Sequence, residues 1–535
     1  MSYILSELYY EWFGNPQYWF DKKISNDIYL TNKYFNYINK IYLENNLKQE
    51  IIGAIILLDQ IPRHQNRILQ NSLNIDYYSS KAIFYSELAI KLYGNKLNIA
   101  ELCFIYLPYR HILDIDKIKY IIYRFINIYK YTTTTEYNKN LAKKYIINTL
   151  NNIYIYYNKF FIKISELSNI TNNINFNLNI LENNNMNIIN DNNLINNDIY
   201  KEIYNSYIKL KKNSTIIVSI SGGVDSNVVL YIITKINDIN KDKNIKIIPI
   251  HIDYNNRNCC DDELKFVQYY CHINNTKLIY RKISEINRNQ CNNSNTLRSI
   301  YEDITKKIRF DMYKYGFKYS KDVYVLLGHN KDDCFENIIT NISAKKNYNN
   351  LSGMNMFTNI DNLVLWRPML NIYKKNIIDF ALKYNIPFLK DSTPKWSMRG
   401  KIRDNIKKEL INLNNTYDTI DNFFALKDYL YISNDIINNV IINNLVNKLN
   451  YSYLDNLIYI SVIYNNYEVN SFNYFNICFL FFAKINIKIS NKTIKEFINF
   501  INKKNNTKFF INKDAYINKN FNDINDKILE FYINN

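Results

Sequence analysis

Ser221-Gly222-Gly223-Val224-Asp225-Ser226 follows directly on the apolar run Thr215-Ile216-Ile217-Val218-Ser219-Ile220. These six residues have the types and order needed to grip a phosphate. Two adjacent glycines open backbone conformations closed to other residues and let a ligand approach the chain. The amide hydrogens of such a turn, with those opening the next helix, converge on one spot and carry partial positive charge. Ser221 and Ser226 add hydroxyl donors, and a carboxylate at Asp225 makes sense there as a magnesium ligand. Only nine glycines occur in 535 residues, so an adjacent pair framed by serines is not expected from composition. No Gly-x-x-x-x-Gly-Lys-Ser/Thr sequence is present, which excludes the phosphate loop of kinases and GTPases.

A second constellation is Gly328-His329-Asn330-Lys331-Asp332-Asp333-Cys334-Phe335-Glu336-Asn337, read as the end of one strand and the start of a helix. Asp332, Asp333 and Glu336 fall within one helical turn, and Asp332 and Glu336 share a face. Such a cluster can hold magnesium and can take a proton from an amine. Its plain alternative is a set of helix-start acids matched to the helix dipole. His251 and His329 end strands beside these motifs, where they either touch a nucleotide or simply pack.

Alternating strands and helices must position these groups. From about 200 to 395 the pattern predicts a strand, the phosphate turn and an apolar helix. The strand Ile245–Asp253 follows, then a helix opened by Asp261-Asp262-Glu263 and the strand Lys277–Ile283. A helix from about Thr296 to Tyr315, the strand Val323–Gly328 and a helix from Lys331 complete it. The expected fold is α/β, a doubly wound parallel sheet with its site at the strands' carboxyl ends. Residues 1–167 read as an all-helical, TPR-like domain, 168–199 as an Asn-rich linker, and 396–535 as a basic, mostly helical or α+β region.

Residues 201–400 carry 31 Lys and Arg against 19 Asp and Glu, which is +12 of the chain's formal +18. That excess suggests a polyanion larger than a nucleotide, most naturally RNA. The basic stretch Lys395, Arg399, Lys401, Arg403, Lys407 and Lys408 suits RNA phosphates. Seven cysteines without a Cys-x-x-Cys pair signal neither a zinc ribbon nor a simple iron–sulfur loop. No apolar run approaches the ~20 residues of a membrane span, so a soluble, cytoplasmic protein with no membrane association is expected.

The Ser-Gly-Gly-x-Asp-Ser turn resembles the PP-loop of the ATP pyrophosphatases. Joined to Gly-His-x-x-Asp-Asp-x-x-Glu, it resembles the tRNA(Ile)-lysidine synthetase family, with Asn337 in place of that family's Thr. Further similar pieces occur in order across about 213–410. They are His251-Ile252-Asp253 with Arg257, Arg298-Ser299-Ile300-Tyr301, Trp366-Arg367-Pro368-Met369-Leu370, Asp391-Ser392-Thr393 and Arg399-Gly400-Lys401-Ile402-Arg403-Asp404-Asn405. Tyr254-Asn255-Asn256 stands where the family has His-Gly-Leu.

The resemblance implies ATP and Mg2+ as cofactors, tRNA as partner, and free lysine as co-substrate. It implies ATP contacts from Ser221, Gly222, Gly223, Val224, Asp225, Ser226, His251, Gly328 and His329. Asp225 and Asp333 would hold magnesium, and Asp225, Asp332, Asp333, Glu336 and Arg298 would be catalytic. Arg367, Lys395, Arg399, Lys401 and Arg403 would meet RNA. A surface ion pair with Glu302 is the alternative for Arg298. A tRNA thiolase, using the same adenylation and then delivering sulfur, is the nearest rival. Cys259-Cys260 and Cys334 keep that reading in view.

Leu57–Arg67, Phe104–His111 and the opening Glu11-Trp12-Phe13-Gly14 resemble an uncharacterised TPR-like bacterial helical family. This resemblance implies a fold that leaves room for a protein partner, and no reaction. Asp59, Arg63, His64 and His111, charged groups beside helix-ending prolines, either converge on a site in a groove or, as is commoner for such clusters, form buried ion pairs and caps holding helices in register.

Overall fold

The structure, a computed structural model, describes residues 1–19, 23–69, 73–131, 135–160, 163–164, 177–183, 188, 193–292, 294–344, 353–390, 397–414, 418–447, 450–454, 457–464, 475–485, 487, 489–502, 508–511, 515–521 and 527–534. From Ser2–Gly14 to Glu136–Phe160 the described elements are all helical. The helix Lys48–Asp59 is apolar on every side and lies at the centre of this layer, with Ile51, Ile52, Ile56 and Leu57 wholly buried. Gly53 lets the first helix touch it, because a Cβ there would fall 2.0 Å from the Leu5 carbonyl oxygen. The same core runs on into Leu297, Ile300, Tyr301, Ile304 and Ile308 of the helix Asn295–Tyr313. The helical layer and the sheet region therefore share packing rather than a free hinge.

Five parallel strands form the central sheet: β3 (Thr215–Ser219), β4 (Lys246–Asp253), β5 (Ile279–Lys282), β6 (Val323–Leu326) and β8 (Leu363–Trp366). Their spatial order is β5-β4-β3-β6-β8. Antiparallel edges are added by β1 (Lys163–Ile164) beside β5 and β7 (Phe357–Ile360) beside β8. Both faces are covered. Ile216, Val218 and Leu326 pack with the helix Val224–Ile239, while Ile217 and Val325 pack with Met312 and Tyr313. That two-sided burial explains why β3 and β6 read as continuous apolar runs. Chain order reverses between β3 and β6, and a crevice opens at such a point beyond the strand ends.

Residues 168–199, expected to be a linker, are in part structural. β2 (Leu181–Asn183) pairs antiparallel with β9 (Phe388–Leu389), and Leu181 is buried. The reason is local: Leu181 finds an apolar seat in the sheet's own core. Toward the carboxyl end, Phe475–Lys484 and Asn491–Asn502 cover a five-stranded antiparallel sheet of β10 (Asn450–Leu454), β11 (Leu457–Tyr464), β12 (Lys508–Phe510), β13 (Ala515–Phe521) and β14 (Lys527–Asn534). This region is α+β. Among the described residues no helix is long and apolar enough to cross a membrane.

Candidate active site

The phosphate turn is built from its own side chains. Gly222 has φ +81°, a left-handed conformation that favours glycine. Its carbonyl accepts the Leu389 amide at 2.9 Å, so β9 holds the turn from outside. The Ser226 hydroxyl donates to the Gly223 carbonyl at 3.0 Å and accepts the Ser221 amide at 3.2 Å. Gly223 caps the helix Val224–Ile239, and Val224 is buried at its start. From β4, His251 Nδ1–H donates to the Ile220 carbonyl at 2.9 Å, and burial keeps its imidazole below the ordinary value. His251 thus braces the strand end that leads into the turn.

The loop after β6 closes on this turn. A Cβ on Gly328 would lie 2.9 Å from the Asp225 carbonyl carbon and 3.0 Å from the Ser226 nitrogen, so only glycine permits the approach. Two residues later Asn330, 1% exposed, does two jobs. It caps the helix Lys331–Ser343, accepting the Asp333 amide at 3.0 Å, while Asp333 Oδ2 accepts the Asn330 amide at 3.2 Å. Its Nδ2 also donates to Asp225 Oδ1 at 3.0 Å. Glycine turn and acidic helix start, remote in sequence, are thereby locked together at the switch point.

Lys374, which no sequence motif marks, supplies the site's nearest cation. Its Nζ donates to Asp225 Oδ2 at 2.5 Å from the first residue of the helix Lys374–Lys383. Burial raises the Asp225 carboxyl above its ordinary value; Lys374 opposes that shift, and the nearby Asp333 charge adds to it. A lysine amid many surface lysines gives no signal in one sequence.

The acidic cluster is brought to the site, though not as three free carboxylates. Asp332 turns aside: its Oδ2 accepts the Lys374 amide at 2.7 Å, capping that helix, and its Oδ1 pairs with Lys407. Glu336, 2% exposed, accepts Arg399 Nε at 2.8 Å and Arg403 Nε at 2.9 Å. Asp333 pairs with Arg399 Nη2. The basic stretch read as an RNA surface is therefore partly the counter-charge of the acids. Lys401 is exposed. Lys395, with Asp391-Ser392-Thr393, lies outside the described residues.

Two expected roles need correction. Arg298 is half exposed and pairs with Glu302 Oε1 at 2.9 Å one helical turn on, so its guanidinium is spent on a surface ion pair. Arg367 is 8% exposed and donates to the Asn355 carbonyl at 2.9 Å, Thr358 Oγ1 at 3.0 Å and His329 Nδ1 at 3.2 Å. It braces β7 and orients His329 instead of facing RNA. Burial, with Arg367 and Arg399 nearby, pushes His329 down to about 4, so a neutral imidazole stands at the crevice.

A family model described as a PP-loop domain matches residues 194–412. This segment is a PP-loop domain. The chain is also similar to curated tRNA(Ile)-lysidine synthases. The Mesoplasma florum protein is 31% identical over 209 residues, 38% of this chain and 49% of that protein. The Malacoplasma penetrans protein is 26% identical, covering 54% of this chain and 90% of that one. For the Mycoplasmopsis pulmonis protein the values are 29%, 57% and 96%. The chain thus spans about half of the first relative and most of the other two. A solved structure, the U34-tRNA thiolase NcsA from Methanococcus maripaludis with its [4Fe-4S] cluster, aligns at 16% identity and TM-score 0.35 over 44% of this chain and 79% of that one. The PP-loop segment is lysidine synthase-like.

Proposed function

We propose that this chain is an ATP-dependent carbon–nitrogen ligase that joins lysine to C2 of a tRNA cytidine, working in the cytoplasm. The observation that carries the reading is the junction of Asp225 with Asn330 and Asp333 across β3 and β6. It gathers phosphate donors, a carboxylate for a metal and a proton acceptor in one crevice. In the first step cytidine O2 bonds to the α-phosphorus of ATP as the bond to the β-phosphate oxygen breaks, releasing pyrophosphate. In the second, the lysine ε-nitrogen bonds to C2, the C2–O2 bond breaks, and AMP leaves carrying O2.

Ser221, Gly222, Gly223 and Ser226 would hold the leaving pyrophosphate through the turn's amides and hydroxyls. The donor set fits magnesium held by few protein groups. Among the described residues no cluster of three His, Cys, Asp or Glu could cage a metal, whereas Mg2+ commonly takes one or two carboxylates plus substrate phosphates. Asp225 would hold it in place of its Lys374 partner, since its two oxygens, like those of Asp333, already have partners. When bound, the ion would neutralise charge developing on the pyrophosphate. Lys374 stands where it would meet the same phosphates.

A lysine amine has a pKa of ~10.4 and arrives protonated, so it needs a carboxylate to bind and deprotonate it. Asp333 suits this best. Its side chain is 15% exposed against 12% for Asp332 and 2% for Glu336, and its Arg399 partner is half exposed. If Arg399 swings from Asp333 and Glu336 to a tRNA phosphate, RNA docking is linked to freeing the base. Lys401 would add an exposed contact.

The thiolase reading finds less support. Burial raises all seven cysteines above the ordinary thiol value, Cys259 further through Glu263, and a sulfur carrier needs the opposite. Incubating the protein with tRNA, ATP and labelled lysine tests the proposal. Label should enter the RNA with one AMP released per lysine joined. Sulfur uptake from a labelled donor, with no lysine joined, would replace this reading by the thiolase one.

A further inference from the structure

The amino-terminal helices line a mostly apolar cavity of about 150 Å³. Its apolar wall includes Phe104, Leu107 and Leu141, and Arg63, Arg110 and Lys144 bring three cationic side chains to it. The nearby carboxylate, Asp59, is 1% exposed and already committed. It accepts Ser79 Oγ at 2.7 Å and His111 Nδ1 at 2.9 Å, and lies 3.6 Å from Arg63 Nη2. His64 belongs elsewhere, on Asp27 at 2.6 Å with Arg67 beside it. The buried ion pairs expected of this segment are therefore present, but they leave charge over.

Arg110 is the remainder. Among the described residues no carboxylate lies within ion-pair distance of it, and its guanidinium stacks 5.7 Å from the Tyr145 ring centroid. Its Nε, the Nε of Arg63 and the Tyr145 hydroxyl are buried without hydrogen-bond partners. Burial lowers the Arg110 pKa below the arginine norm. Leaving a buried cation and several donors unmet is costly, and one group answers all of them: an oxyanion accepting from both arginines and the tyrosine. Lys144 and Asn148, exposed at the rim, give such a ligand a way in.

We infer that this cavity binds a small oxyanion, a carboxylate or phosphate ester, with its charge on Arg63 and Arg110 and its carbon skeleton against Phe104, Leu107 and Leu141. The size suits a metabolite and not a folded partner. The site is separate from the PP-loop crevice and does not depend on the proposed reaction.

Trp19 lines the cavity, so its fluorescence reports occupancy. The full-length protein is titrated with inorganic phosphate and, separately, with butyrate. The expected result is a saturable change with at least one probe that is absent in Trp19→Phe and retained in Asp225→Ala. In Arg110→Gln affinity should fall about tenfold or more, the loss of one charged hydrogen bond, while Arg110→Lys keeps part of it. Response to phosphate alone identifies a phosphate site, and response to butyrate alone a carboxylate site. No saturable response to either probe, or unchanged affinity in Arg110→Gln, overturns the inference. Should Arg110→Gln not fold, unchanged affinity in Arg63→Gln does so instead.

Discussion

Asp225 carries more of the site than any other side chain, because Asn330, Lys374 and the phosphate turn all meet there. Asp225→Ala is expected to abolish pyrophosphate release while the chain stays folded; release at the wild-type rate would show the site to be misassigned. Gly328 sets how near the two motifs come. In Gly328→Ala the added methyl would strike backbone at 2.9 Å, which no rotamer change relieves. ATP turnover should fall by about tenfold or more, since small misplacements of reacting groups cost factors of this size, and far-UV circular dichroism should be unchanged. For Lys374→Met the Michaelis constant for ATP should rise, with a smaller effect on the KM for lysine.

At the scale of elements, the helix Lys331–Ser343 is a structural device as well as the bearer of the proposed base. Its cap ties it to the turn after β3, and Glu336 ties it to the basic helix that follows β9. Asn330→Ala loses the cap and leaves Asp225 short of a donor, at a cost of about 1–2 kcal/mol. Glu336→Gln removes a buried charge facing two partly exposed arginines and should cost about 1–3 kcal/mol, discounted for solvent around the arginines. Both changes are read as lowered denaturant midpoints at unchanged slope. An unshifted midpoint in Glu336→Gln would mean that the cluster is not holding these helices together.

Across the whole molecule, four of the five histidines, His64, His111, His251 and His329, are held below the usual imidazole value, chiefly by burial. A depressed histidine is neutral in the folded chain but takes a proton when unfolded, near 6.5. The unfolded state therefore binds more protons, so stability is full above about pH 6.5 and drains as pH falls toward the folded values. Melting temperature should drop between pH 7 and pH 5, and His329→Asn should flatten part of that slope. A profile level across this range would mean these rings titrate normally.

The order of apolar runs, glycines and acids along 200–395 was enough to settle the α/β fold, the PP-loop and the meeting of two distant motifs. Parallel strands buried on both faces and a helix after each leave few other topologies. Sequence spacing also placed Asp332, Asp333 and Glu336 on one turn, but not which way each would face. That depended on Lys407, Arg399 and Arg403 arriving from a segment far along the chain, and on the Lys374 amide needing a cap. Arg298 and Arg367 read alike as candidate contacts; packing left one in a surface pair and buried the other. Likewise the Asn-rich stretch held no visible sign that Leu181 would join β9 beside Gly222. Local pattern determines elements because backbone and hydrophobic periodicity act over a few residues. The partner of a charged side chain is decided by whatever the fold brings within about 4 Å, and only the tertiary structure supplies that.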